Sequence, residues 1–226
     1  MNGAIKLTPL YVTARQLDAQ FAEQQGWRVP EVYSTVEAEV AAARRGVVLV
    51  DETPNGKLTV EGDRAEGVLQ AVFDAPPLAI GAGVAVEAAR VYRLRNDRFF
   101  VGTPPGGEGA ALLRLAEAAK ASGCTVTDMT HGRAEIRAVG PASQNLMGKV
   151  CGLDFHPTTF PDWTARQSSL ARTAQLIIRR DIGPLPAFSI VGARSLGAYL
   201  WDTLAEAGRE WGLLPAGRGS LDALAG

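Results

Sequence analysis

The sequence predicts an α+β fold made of two pseudo-repeated β-α-β-β-α units with antiparallel sheets. Three observations predict it. Alternating strands at Lys57–Glu61 and Arg133–Val139 each end on a glycine, Gly62 and Gly140, and each runs into a helical pattern. FFVG at 99–102 corresponds to FSIVG at 188–192. LLRLAEAAKASG at 112–123 corresponds to YLWDTLAEAGREWG at 199–212. Matches that fall in the same order imply a duplicated unit, each copy a small antiparallel sheet covered by helices. Two such sheets commonly leave a cleft, and a cleft is where a ligand is expected.

The elements follow in order. Thr13–Gln25 places Leu17 and Phe21 four apart and reads as an amphipathic helix. Gly26-Trp27 breaks it and Pro30 marks a loop. Ser34 and Glu37 have the spacing of a capping box before a helix over Val36–Arg45. Val47–Val50 is a β-branched run and reads as a strand. In the first copy Asp63 can cap a helix over Arg64–Phe73, with Val68, Leu69 and Val72 on one face. A β-rich stretch over Gly83–Arg93, a strand over Arg98–Gly102 and a helix over Ala110–Ala121 complete it. In the second copy Pro141 suits a first helical turn and Ala142–Val150 is the helix. Strands over Arg166–Arg180 and Ala187–Gly192 follow, then a helix over Ser195–Glu210. This divides one domain, 1–226, into a helical segment 1–46, repeat one 47–123 and repeat two 124–226.

Composition narrows the function. A chain of 226 residues with 46% apolar and 21% charged residues can bury a core without a disulfide or metal staple. The balance of 23 basic against 24 acidic residues lacks the broad positive field of a nucleic-acid binder. No apolar run reaches membrane-spanning length, and the N-terminus lacks the apolar core of a secretory signal, so no membrane partner is expected. Cys124 and Cys151 are far apart in apolar contexts, which suits buried thiols in a reducing cytoplasm. The two cysteines and two histidines are scattered, so no metal site is expected.

No strong catalytic motif is present, and four weaker features remain. Asp128 and His131 could form an acid–base pair, or cap a tight connection between strands, which is the plainer reading. Arg133, Glu135 and Arg137 alternate on one strand face; they could hold an anion, but a solvated face with cross-strand ion pairs is commoner. Thr103–Gly109 leads into a helix N-terminus, and its two prolines favour a plain connecting loop over an anion cradle. The aromatic, proline-rich loop Phe155–Trp163 either covers the second sheet or acts as a lid or partner contact.

An ordered series of short motifs resembles the glycine-cleavage T-protein family, the folate-binding aminomethyltransferases. These are Thr8-Pro9-Leu10-Tyr11, Gly26-Trp27 with Pro30, Asp51 followed by Gly56, Val91-Tyr92-Arg93-Leu94, and Gly212-Leu213-Leu214-Pro215-Ala216-Gly217 with Gly219. The second half also resembles the gamma subunit of heterotetrameric sarcosine oxidase, through Asp128, His131 and Arg133 leading to Gly140-Pro141, and through Cys151, Leu153, Asp154, His156-Pro157 and Phe160-Pro161. The resemblance implies the folate-binding domain of an aminomethyltransferase, without the C-terminal barrel since the chain stops at Gly226. It implies tetrahydrofolate as cofactor, with Tyr92 and Arg179 as cofactor-binding candidates. It also implies either one-carbon transfer or a non-catalytic role beside flavoprotein oxidase subunits or in a homo-oligomer. The family's acidic motif before V-Y-R-L is shortened here, leaving Glu87 as the nearby catalytic candidate. Aligning on Phe188 sets Leu185 where the family grips the pterin with a glutamate, and Leu221 falls where it has an arginine. The expectation is a family fold with a degenerate site.

Overall fold

The computed structural model describes residues 4–226. They form two compact units. Unit 1 contains the chain up to Thr53, Ala134–Asp162 and Gln167–Gly226; unit 2 contains Pro54–Arg133 and Trp163–Arg166.

Unit 1 opens with β1 (Lys6–Leu7), α1 (Tyr11–Gln16), β2 (Gln20–Gln24) and β3 (Trp27–Val32). The strands form a small sheet in the order β1-β3-β2. This corrects the helix expected over 13–25. The helix stops because Asp18 adopts φ 57°, and Gln25 and Gly26, at φ 49° and 74°, turn the chain back on itself. A two-residue turn with both φ positive matches the twist of an antiparallel hairpin. Pro30 lies in β3 rather than in a loop. It falls beyond the two residues that β1 pairs, where a missing N–H is tolerated.

The next helix, α2 (Val36–Arg45), is capped one residue later than expected. Thr35, not Ser34, accepts the Ala38 amide at 3.2 Å. Glu39, not Glu37, reaches back to the amides of Tyr33 and Ser34 at 2.6 and 2.9 Å. Then β4 (Val48–Asp51) enters the core.

Unit 2 follows as β5 (Gly56–Glu61), α3 (Ala65–Phe73), β6 (Gly83–Val86), β7 (Ala89–Arg95), β8 (Arg98–Thr103), α4 (Glu108–Ala119) and β9 (Thr125–Asp128). The chain returns to unit 1 with β10 (Arg133–Val139), α5 (Ser143–Val150), β11 (Ala165–Leu170), β12 (Thr173–Arg179), β13 (Ala187–Ala193), α6 (Gly197–Gly208), β14 (Leu214–Ala216) and α7 (Arg218–Ala225). Among the described residues no helix is long and apolar enough to cross a membrane.

The duplication is visible in the strand order. Unit 2 runs β6-β7-β8-β5-β9, and unit 1 runs β11-β12-β13-β10-β4-β14. Each β-rich stretch folds as a hairpin, which adds one strand to each copy, and the second copy also gains β14. In the second copy Ala171 and Arg172, at φ 48° and 61°, split the expected strand 166–180 into β11 and β12. The opening strands are exchanged: β4 pairs with β10, and β9 pairs with β5, both antiparallel. Equally short connections, 52–55 and 129–132, carry them across. The compact units therefore do not follow the repeat boundaries at 47–123 and 124–226.

One face of the unit 1 sheet (Leu49, Ile136, Ile177, Phe188, Ile190) packs on α5 and α6 through Leu146, Met147, Leu200, Trp201 and Leu204. At the β4–β14 edge the opposite face packs Val48, Val50 and Val139 on Ala43 of α2 and Leu221 of α7. In unit 2, Leu58, Val60, Val91, Phe99 and Val101 pack on Val68 and Leu69 of α3 and Leu115 of α4. Fully burying each such aliphatic or aromatic side chain contributes about 1.5–3 kcal/mol.

The two repeat glycines have the same backbone geometry, Gly62 at φ 137° and Gly140 at φ 129°. Their surroundings differ. A Cβ on Gly140 would lie 2.4 Å from the carbonyl oxygens of both Ala43 and Gly46, whereas on Gly62 it would first meet the Cys124 Sγ at 2.9 Å. Gly140→Ala is expected to cost about 2–4 kcal/mol in a urea titration and Gly62→Ala less, since a side chain gives way more easily than backbone.

Candidate functional site

Each sheet has a helix-poor face on which polar side chains are buried. In unit 2, register places Gly83, Tyr92, Phe100 and Thr59 side by side on β6, β7, β8 and β5. Residues on alternate positions share a face, so these oppose the residues packed on α3 and α4. Tyr92 is 1% exposed and lies against Gly83, where a Cβ would come within 2.2 Å of its ring. Trp163 stacks on Tyr92, with ring centroids 6.0 Å apart and 18° between the planes, and Phe100 flanks it at 6.5 Å. Two positions along from Thr59, Lys57 is fully buried, its Nζ 2.7 Å from the Asn55 carbonyl.

In unit 1, β4 runs out into Asp51, Glu52 and Thr53, all buried. Thr53 donates its amide to the Asp51 carboxylate at 3.0 Å, and its Oγ1 accepts the Glu135 amide at 3.1 Å. The Glu52 carboxylate is 4% exposed and faces three guanidiniums: Arg137 at 3.5 Å, Arg218 at 3.8 Å and Arg180 at 4.0 Å. Arg137 also donates to the Arg180 carbonyl at 2.5 Å. The face expected to be solvated is therefore not: Glu135 is 7% exposed and Arg137 2%. The expected cross-strand pairing holds for Arg137, which reaches the residue just past β4.

The three candidate residues are placed as follows. Tyr92 is buried and belongs to the aromatic group of unit 2. Arg179 is buried in unit 1, but its donors are spent on structure. It chelates Asp181 at 2.8–3.2 Å and donates to the Phe160 carbonyl at 2.8 Å. Its guanidinium also lies over the Phe188 ring, 5.7 Å away. Glu87 sits at the β6–β7 turn with φ 35°. It is 63% exposed and paired with Arg114 at 2.8 Å, so it does not join Tyr92.

The weaker features resolve in part. Asp128 accepts the Thr130 amide at 2.8 Å and so caps the connection before β10. In the aromatic loop, Phe155 and Phe160 are buried against Phe188 and cover the unit 1 sheet. Trp163, beyond them, is part of unit 2. Asp154 holds the loop's start: its carboxyl lies below the usual range because it accepts the His156 amide and then the Thr159 hydroxyl. An open groove of about 720 Å³ in unit 1 is lined by Lys149, Phe155, His156 and Trp211 among others. Its cation is spent, because Lys149 bonds Glu210 at 2.7 Å and the Ala207 carbonyl at 3.0 Å and lies over Trp211.

Burial first, then the charges of Asp51 and Glu39, push the Tyr33 phenol well above its ordinary value. The unfolded chain releases this proton near pH 10 while the folded chain keeps it. Stability is thus unaffected by Tyr33 below about pH 10 and falls as pH rises above it. Tyrosinate absorbance is expected to include a Tyr33 contribution that appears only as the chain unfolds, and Tyr33→Phe to remove that contribution.

The sequence reading missed Asp51 and Glu52 as a buried acidic pair, and missed Lys57, Trp163 and Arg218 as parts of these faces. The signal for Glu52 was faint: an acid at the C-terminal end of a short β-branched strand.

The family model of the GCVT N-terminal domain matches residues 10–225. The chain belongs to that family. An aminomethyltransferase of Symbiobacterium thermophilum is 28% identical over 99% of this GCVT N-terminal domain, and one of Saccharopolyspora erythraea is 26% identical over 96%. These matches cover 64% and 62% of the two relatives, so the chain spans less than two thirds of their length. The glycine cleavage system aminomethyltransferase T of Bartonella henselae has the same fold, with a TM-score of 0.86 and 22% identity over 98% of this chain and 62% of that one. The heterotetrameric sarcosine oxidase of Corynebacterium sp. U-96 contains a chain of the same fold, with a TM-score of 0.70 and 21% identity over 90% of this chain and 95% of that one.

Proposed function

We propose that this GCVT N-terminal domain binds a reduced folate in one-carbon metabolism, at a site that has lost the family's transferase carboxylate. The observation that carries the reading is the Tyr92–Trp163–Phe100 group on the helix-poor face of unit 2, with Tyr92 and Phe100 buried, within a chain matched over 96–99% of its length by aminomethyltransferases. The aromatic residues of unit 2 suit the flat faces of a pterin. A flat bicyclic ring is held by aromatic faces, and its amine-bearing edge is held by a carboxylate that accepts paired hydrogen bonds. Tyr92 and Trp163 of unit 2 supply the first. When bound, the folate supplies the amine that takes up a one-carbon unit. Glu87 is the nearest replacement for the missing acid by sequence. Its exposure and its pairing with Arg114 support binding without efficient transfer. The two free cysteines, Cys124 and Cys151, favour a reducing cytoplasm as its location.

Calorimetric titration with tetrahydrofolate tests the reading. A saturable heat with a rise in melting temperature is expected, and Tyr92→Ala should weaken it. No heat and no thermal shift at millimolar ligand would end it.

A second reading is favoured by one observation: this chain covers nearly all of a chain that belongs to a heterotetrameric oxidase. On this reading it is a non-catalytic subunit beside a flavoprotein oxidase. Co-elution of a tagged full chain with flavin absorbance from its own host supports it. A monodisperse monomer or homo-oligomer with intrinsic transferase activity counts against it.

A further inference from the structure

We propose that Arg180 and Arg218 of unit 1 form a binding site for a small, multiply charged oxyanion, either a dicarboxylate or a phosphoryl group. Arg180 is the residue after β12, and Arg218 is the first residue of α7. Both side chains are about a quarter exposed, at 23% and 24%. They approach opposite oxygens of one carboxylate: Arg180 faces Glu52 Oε2 at 4.0 Å, and Arg218 faces Oε1 at 3.8 Å. Both distances lie beyond hydrogen-bond length, so neither guanidinium spends a donor on Glu52.

Arg137 already opposes the Glu52 charge from the buried side, 3.5 Å away and 2% exposed. The second and third guanidiniums are therefore in excess of what one carboxylate needs. Arg218 has one further partner, Asp222 at 2.9 Å through Nε, on the exposed surface of α7. The Arg180 guanidinium makes no hydrogen bond among the described residues. Other acids nearby are Asp181, next to Arg180 in the chain and chelated by Arg179, Glu135, two residues before Arg137 on β10, and Glu31, which lies against Gly219. Two half-buried forks with unspent N–H donors, held by a carboxylate between them, match a ligand with two negative charges or several acceptor oxygens. Burial strengthens such a contact relative to a surface lysine patch. The site stands apart from the folate reading, because the oxyanion alone is the probe.

The test is titration of the full chain with inorganic phosphate and, separately, with succinate, at matched ionic strength so that general screening cancels. A saturable rise in melting temperature with one or both is expected; phosphate alone marks a phosphoryl site and succinate alone a dicarboxylate site. Arg180→Gln and Arg218→Gln are each expected to weaken binding by about tenfold or more. Arg209→Gln, which removes an exposed guanidinium paired with Glu206, should bind as the parent does. Should Arg180→Gln fold poorly, Arg180→Lys keeps the charge, loses the fork, and should still lose the response. No saturable shift with either anion overturns the proposal, as does an equal loss in Arg209→Gln. Tetrahydrofolate binding with no oxyanion response sinks this proposal alone.

Discussion

Glu39→Ala is expected to lower stability by about 4 kcal/mol in urea denaturation, among the largest effects of any single substitution in this chain. The Glu39 carboxylate is 2% exposed and accepts four hydrogen bonds. Two come from the amides of Tyr33 and Ser34 before α2. The other two come from the amide of Gly217 at 2.8 Å and the hydroxyl of Ser220 at 2.6 Å. Removing the carboxylate leaves buried donors with no acceptor, and an unmet buried donor costs more than the bond it replaces. The segment Pro215–Ser220, part of the run that resembles the family, is thus tied to α2 by a structural clamp. Glu39→Gln keeps the shape and loses the charge, so it should fall between the parent and Glu39→Ala. Equal stability of Glu39→Ala and the parent would show that the clamp carries little of the fold.

Glu52→Ala is expected to cost about 3–5 kcal/mol, because it removes the carboxylate that balances the buried Arg137. The pair is almost fully buried, at 2% and 4% exposure, so solvent screens it little. Replacing both partners with leucine should recover part of the loss, since it removes the fully buried guanidinium and leaves only the part-exposed Arg180 and Arg218 without the facing carboxylate. A double-mutant cycle measures this. Full additivity of the two single substitutions would show that the pair is not coupled.

Much of the fold was legible because its signals are local. The helices α3 to α6 declare themselves through apolar spacing. Gly62 and Gly140 mark the duplication because each sits at a backbone angle that favours glycine. The β1-β3-β2 sheet was not legible. Leu17 and Phe21 have helical spacing, and only the positive φ angles at Asp18, Gln25 and Gly26 turn that segment into a hairpin. The capping error has the same origin: Ser34 and Glu37 fit the spacing, but Thr35 and Glu39 have the geometry.

The candidate site was legible in part. Tyr92 was named and is buried among aromatic rings. Arg179 was named as well, yet its donors hold Asp181 and the aromatic loop. Glu87 was chosen for its place in the sequence, and the β6–β7 turn carries it into solvent.

By itself the sequence determined the duplicated α+β plan, the family and the glycine turns at Gly62 and Gly140, since each is written in residues close together along the chain. Tertiary structure alone decided that β4 and β9 change places, and hence that Glu52 meets Arg137, Arg180 and Arg218. A strand's partner is set by long-range pairing and burial, and no local pattern at Val48–Asp51 encodes which of two similar sheets will receive it.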